Sequence, residues 1–505
     1  MLRNARRLVR MGLIILFVAA PIGMGCGGGS HWTEKEVDSP PPRLTVEDRP
    51  GWEHWERGFS AVYDLLLRNL HMPNGFHETR YARPSPRFWG IYLWDSAFIS
   101  QVWRPWDVQT ARSVNRAVLA KADRGRLQHY AHRFLSSDRT QPPVMTWAVW
   151  QNYQWDRDEE ALARAYPQLV AYHEWLFDHR RLDCGLFFWA DTYESGMDNS
   201  PRFDGQDGST DVNTRQRAAV DLSAYVVLQS ETLGKMARTL GRAAQAERFS
   251  ARADRLSALL DSLLWSDRSG VYFDRNMATG RLVDTKTVAS LAPLFAGVPD
   301  SGRARRLRRH VLDSTSFNAQ IPIPSVAMDE PAFEKDMWRG PSWVNTSFMV
   351  LEGLRRYGFD RAASELAYKL VDGVYRTYEN TGDVAEFYDP NRYDFEELHR
   401  KEGNFWKWLT LGDSPRPNFV GWSGLVNTIV LEHLVGYHKS AHARWIEPSF
   451  PARASGLQFT LVLPGEDLAV ELRVRDEGQV SGVLTARDDT TRLRLRRGEQ
   501  MRIPD

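Results

Sequence analysis

The chain has 505 residues, 42% of them hydrophobic and 26% charged, with a formal net charge of +1. That length exceeds one small core, and the balanced charge lacks the basic excess of a nucleic-acid-binding protein. Two cysteines, Cys26 and Cys184, cannot build a disulfide framework or a Cys/His zinc site.

The first residues, MLRNARRLVRMGLIILFVAAPIGMGC, place Arg3, Arg6, Arg7 and Arg10 before an apolar run from Met11 to about Gly23. The run is short for a membrane span, and small residues follow it, as in an export signal. With Gly25 immediately before Cys26, the leader resembles a bacterial lipoprotein signal. This predicts lipidation of Cys26, membrane attachment through that lipid and a location beyond the inner membrane; plain secretion is the alternative. Residues 27–48, with GGGS and VDSPPPR, read as a flexible tether.

From residue 49 to about 442 the period is helical. Phe249, Leu256, Leu259, Leu260, Leu263 and Leu264 fall on one helical face, as do Leu366, Leu370, Val371, Val374, Tyr375 and Tyr378. Further helical segments are expected near 110–135, 160–178, 218–241, 342–357 and 424–438. The basic run RARRLRRH (303–310) reads as a solvated helix face. Residues 443–505 switch to a period of two: Leu457, Phe459, Leu461, Leu463, then Leu468, Val470, Leu472, Val474, then Leu493 and Leu495. The expected fold class is mainly α, a many-helix toroid with a small C-terminal β module.

Polar residues that core packing does not require sit in the loops between helices. FWGIYLWDSAFI sets Asp95 among aromatics, where it is either a helix N-cap or a sugar ligand. QPPVMTWAVW puts Gln141 ahead of two helix-starting prolines. ESGMDNSPRF, MWRGPSWVNTSF, VAEFYDP and NFVGWSG supply Asp198, Arg339, Glu386 and Trp422. HExxH, a P-loop and a Rossmann glycine fingerprint are absent, and nothing in the sequence calls for a metal or cofactor. The chain has 19 Trp, 17 Tyr and 23 Phe, and aromatic faces complement the C–H faces of sugars. Carboxylates between aromatic walls suit glycoside hydrolysis, in which one acid protonates the leaving oxygen and the other acts on water or on the sugar.

Taken in order, WGIYLWDSAF, QPPVMTWAVW, ESGMDNSPRF, MWRGPSWVNTSF and EFYDP…GWSG resemble glycoside hydrolase family 63. The resemblance is to its mannosylglycerate/glucosylglycerate hydrolase-like branch, with a more distant likeness to trehalases. It covers residues 50–440 and implies a six-fold (α/α) barrel and an inverting, exo-acting α-glycosidase. By motif, Asp198 would be the general acid and Glu386 the general base. Phe88, Tyr92, Trp94, Asp95, Gln141 and the Gly196 backbone would surround the terminal sugar. Trp338, Arg339 and Trp422 would complete the pocket. Arg202 and Arg217 would anchor a polar or carboxylate aglycone, although Arg202 serves equally as a partner of Asp198 or Glu194. The segment from Asn391 to Asn418 is longer than the resemblance leads one to expect. It carries Glu396, Glu397 and Glu402 as competing acids, and it reads as a cover over the aglycone side. A trehalase-like disaccharidase and a non-catalytic glycan-binding lipoprotein are the rival functions.

Overall fold

Twelve α-helices among the described residues alternate between strongly and weakly buried, and that alternation defines the architecture. The computed structural model describes residues 37, 39–47, 51–204, 214–401, 412–440, 443–487 and 489–504. The leader, Cys26, most of the expected tether and Glu402 lie outside these residues. Among the described residues no helix is long and apolar enough to cross a membrane.

In chain order the helices are α1 (Glu53–Arg68), α2 (Leu93–Trp103), α3 (Val108–Leu119), α4 (Met145–Asp156), α5 (Glu159–His179) and α6 (Val220–Thr239). They continue as α7 (Ala243–Leu263), α8 (Ala292–Ala296), α9 (Ser301–Leu312), α10 (Val344–Arg356), α11 (Asp360–Thr381) and α12 (Leu425–Ile429), the last extended by a π-helical turn, Val430–Leu434. All eleven residues of α2 are buried, and α6 is buried over most of its length. By contrast α9 buries only Ala304, Leu307 and Val311, the narrow stripe of a surface helix. Each even-numbered helix packs on the next, α2 on α4, α4 on α6, α6 on α8, α8 on α10, α10 on α12 and α12 back on α2. The result is a closed inner ring of six helices, with the odd-numbered helices outside it: the expected (α/α) six-fold barrel.

The apolar stripes behave as their spacing predicts. Phe249, Leu256 and Leu260 of α7 are buried, and so are Leu366, Leu370, Val371, Val374 and Tyr375 of α11. The segment 110–135 does not continue as one helix. It stops at Leu119, turns through Gly125 at positive φ, and returns as the strand Tyr130–His132 beside Ile91–Tyr92.

The C-terminal strands form a five-stranded antiparallel sheet whose edge comes from the other end of the chain. β1 (Arg43–Val46) pairs with β2 (Gln458–Leu463), followed by β3 (Leu468–Val474), β4 (Val480–Ala486) and β5 (Asp489–Leu495). The flexible-tether expectation therefore fails for Arg43–Val46. Leu44 lies opposite Leu461 and is 1% exposed, so burial of an apolar side chain fixes a segment that composition marked as loose. A second, three-stranded sheet joins Tyr437–Lys439, Arg444–Ile446 and Met501–Ile503, so β structure begins ahead of residue 443. Glu466 clamps the sheets to the barrel: it accepts from the Trp155 indole on α4 at 2.9 Å, from Tyr437 at 2.9 Å and from Lys439 at 2.8 Å.

Candidate active site

The connections that lead into α2, α4, α6, α10 and α12 converge at one end of the ring, and aromatic residues line the place where they meet. Trp338 stacks on Trp343 with centroids 3.7 Å apart. Trp94 meets Trp422 at 5.4 Å and Trp338 at 6.1 Å, while Phe419 packs on Trp422 at 4.5 Å. Phe88 and Tyr92 continue this wall, half-buried and 5.6 Å apart. Gln141 receives the Trp94 backbone N–H through Oε1 at 3.3 Å. Asp95 lies in the first turn of α2, beyond the cap position; the N-cap residue is Tyr92. Burial first, and then the charge of Glu386, hold the Asp95 carboxyl well above the usual carboxylate range. Gly421 makes room for it, because a Cβ there would stand 2.6 Å from Asp95 Oδ1.

The loop between α5 and α6 carries Asp198. Ser195 and Gly196 turn the chain: Ser195 Oγ donates to the Thr192 carbonyl at 2.6 Å and accepts the Met197 N–H at 3.0 Å. Glu194, fully buried, is taken by Arg180 at 2.5 and 2.9 Å and by the backbone N–H of Ala190. Asp198 is 18% exposed and pairs with the Lys401 ammonium at 2.9 Å. Its neighbour Asn199 accepts the Trp338 N–H at 2.9 Å and donates to Asp336, stitching this loop to the one ahead of α10.

Glu386 follows α11 and is nearly sealed from solvent. Arg400 grips its carboxylate with both terminal nitrogens, one of them at 2.8 Å from Oε1, in a buried two-pronged pair. The Arg416 backbone N–H reaches Oε2 at 3.3 Å, and the Trp422 indole donates to the Glu386 carbonyl at 2.7 Å. Two of the competing acids, Glu396 and Glu397, stand elsewhere. Glu396 pairs with Arg392 and Glu397 with Lys335 and Arg392, both of them exposed.

Three expected ligands hold protein partners. Arg202 is 2% exposed and joins Asp221 at 2.6 Å and Asp274 at 3.2 Å beneath the site, so it is neither an aglycone anchor nor a partner of Asp198 or Glu194. A guanidinium between two buried carboxylates satisfies a network that burial alone would neutralise. Arg217 donates to the backbone carbonyls of Arg202 and Asp204. Arg339 pairs with Asp204 and Glu334, both at 2.9 Å. Together these arginines brace the loop that carries Asp198. At Gly196 the N–H donates to the Tyr193 carbonyl at 3.2 Å, and the Cα faces the Trp94 ring. Arg400, Lys401, Asn199 and Asp336 escaped the sequence reading. Arg400 and Lys401 left a signal only as two adjacent cations, HRKEG, inside the unusually long 391–418 segment.

A closed six-helix inner ring with carboxylates in an aromatic-walled end defines an (α/α)-barrel glycoside hydrolase. A family profile described as the mannosylglycerate hydrolase MGH1-like glycoside hydrolase domain matches residues 89–406. The chain belongs to that family, the mannosylglycerate hydrolase-like branch of glycoside hydrolase family 63. A mannosylglycerate hydrolase of Thermus thermophilus is 29% identical over 59% of this chain and 88% of its own length. Mannosylglycerate hydrolase MGH1 of Selaginella moellendorffii is 28% identical over 50% of this chain and 61% of its own. A crystal structure of a family 63 mannosylglycerate hydrolase from Thermus thermophilus, in complex with Tris and D-glycerate, superposes with a TM-score of 0.60 and 25% identity. That match covers 73% of this chain and 98% of the other.

Proposed function

We propose that this glycoside hydrolase is an inverting, exo-acting α-glycosidase that removes a terminal α-mannosyl or α-glucosyl residue from a small glycoside. Asp198 is the general acid that protonates the leaving oxygen. Glu386 is the general base that activates water on the opposite face of the sugar. Trp94, Asp95, Gln141, Trp338 and Trp422 surround the terminal sugar, with Phe88 and Tyr92 at the rim. One observation carries the reading: consecutive residues, Arg400 and Lys401, pair with Glu386 and Asp198 respectively. Two acids from distant connections are thus held by one dipeptide, as two carboxyl groups that serve one scissile bond must be brought together. The names of the relatives add glycerate as the first aglycone to try.

The test is sugar release from mannosylglycerate, glucosylglycerate, trehalose and simple α-glycosides by residues 31–505. Asp198→Asn and Glu386→Gln should each lower kcat by about 10²–10⁴, and the anomer first released should be inverted by NMR. Undiminished release by either variant contradicts its assigned role. A trehalase-like preference would appear as trehalose cleavage exceeding that of the glycerate glycosides.

We also propose export and lipid attachment at Cys26, on the strength of the arginine-led apolar leader. Cys26→Ser should move the protein from the membrane pellet to the soluble fraction. A pellet unchanged by the substitution contradicts the assignment.

A further inference from the structure

The connection after Glu386 reaches back into the site along a fixed route. His399 bridges to the loop ahead of α10, its N–H donating to the Lys335 carbonyl at 2.8 Å and its carbonyl accepting from Met337 at 3.0 Å. Lys335 in turn pairs with Asp389 at 2.8 Å and with Glu397. The chain then turns at Lys401, at a φ of 53°, where the Lys401 N–H is taken by Asp336. A left-handed turn is uncommon at a non-glycine residue, and here adjacent side chains meet different carboxylates, Arg400 that of Glu386 and Lys401 that of Asp198.

We propose that Lys401 is a positioning residue that keeps Asp198 as its carboxylate in the resting enzyme and thereby confines catalysis to acidic pH. The inference rests on Asp198 being the general acid. An acid must carry its proton when the leaving group departs, and an ammonium 2.9 Å away favours the ionised form. Other groups face the pair. The Lys401 ammonium lies 4.4 Å over the Tyr193 ring, Asp336 holds the turn, and Arg400 with Glu386 stands one residue back, beside the Arg416 backbone. Burial pulls the Lys401 ammonium down, yet the Asp198 charge and Tyr193 raise it above the usual lysine range, so it stays charged through neutral pH.

The test is the pH profile of kcat/KM for parent, Lys401→Met, Lys401→Arg and Asp198→Asn, on whichever glycoside of the panel the parent cleaves. Lys401→Met should move the alkaline limb upward by about one pH unit or more, raising activity at pH 7 relative to the optimum. Lys401→Arg, which keeps the charge, should leave the limb near that of the parent. A folded Lys401→Met variant with the parent's alkaline limb overturns the proposal. If that variant does not fold, a parent whose alkaline limb lies above neutral pH overturns it equally. Activity retained by Asp198→Asn signals failure of the underlying reading of the acid, a result separate from either limb.

Discussion

A methyl group added at Gly196 would stand 2.6 Å from the Trp94 ring, on a backbone whose φ is +71°. Gly196→Ala therefore meets both a clash and a left-handed penalty, and a loss of about 2 kcal/mol is expected in urea unfolding. An unchanged midpoint would show that the Trp94 wall yields. Arg202 allows a sharper contrast. Arg202→Met strands Asp221 and Asp274 in the interior, which should cost about 3–5 kcal/mol. An aglycone anchor would instead raise KM and leave the melting temperature alone. Such differences were not legible in ESGMDNSPRF. An arginine in a polar loop has the same local sequence whether it binds ligand or ties buried acids, and Asp221 and Asp274 lie too far along the chain to mark the choice. Asp198 stood out because turn residues and an aromatic run left it little structural work, and the fold leaves it 18% exposed beside Lys401. Glu194, four residues earlier, looks the same in sequence and is consumed by Arg180.

Single helices were readable because a stripe such as Leu366, Leu370, Val374 needs only local periodicity. The errors fall where a distant partner decides. The helix expected to run from 110 to 135 ends at Leu119 because Tyr130–His132 pairs with Ile91–Tyr92. Arg43–Val46 is a strand because β2 stands beside it. At the start of α2, Asp95 shows the same dependence on surroundings: the local sequence suggests a cap, and the fold buries the carboxyl next to Glu386. Held well above its ordinary range, Asp95 retains a proton that the unfolded chain releases above about pH 4. The folded state then binds more protons than the unfolded, so this group's contribution to stability falls as pH rises through that window. Asp95→Asn should lose less melting temperature between pH 4 and pH 7 than the parent. An equal or steeper fall in the variant would contradict a protonated Asp95.

Across the whole molecule, ring closure depends on α12 packing on α2, a contact between opposite ends of the barrel that no window of sequence contains. The family resemblance, rather than periodicity, pointed to it. The sheet that follows is bound to the barrel by Glu466 and to the N-terminal segment by β1, so it is part of the folded unit. Removal of residues 443–505 should leave Leu44 and Trp155 uncovered and give aggregated protein in size-exclusion chromatography. A soluble, active barrel would contradict that integration. The central claim is that one half-buried carboxylate, on a turn at the barrel mouth, protonates a departing alcohol. Its most direct measurement is monosaccharide release, with the anomer followed by NMR, from mannosylglycerate and glucosylglycerate by the parent and by Asp198→Asn. The account predicts an inverted sugar from the parent and a loss of about two orders of magnitude or more in the variant. Equal release by both proteins, or a retained anomer, would contradict it.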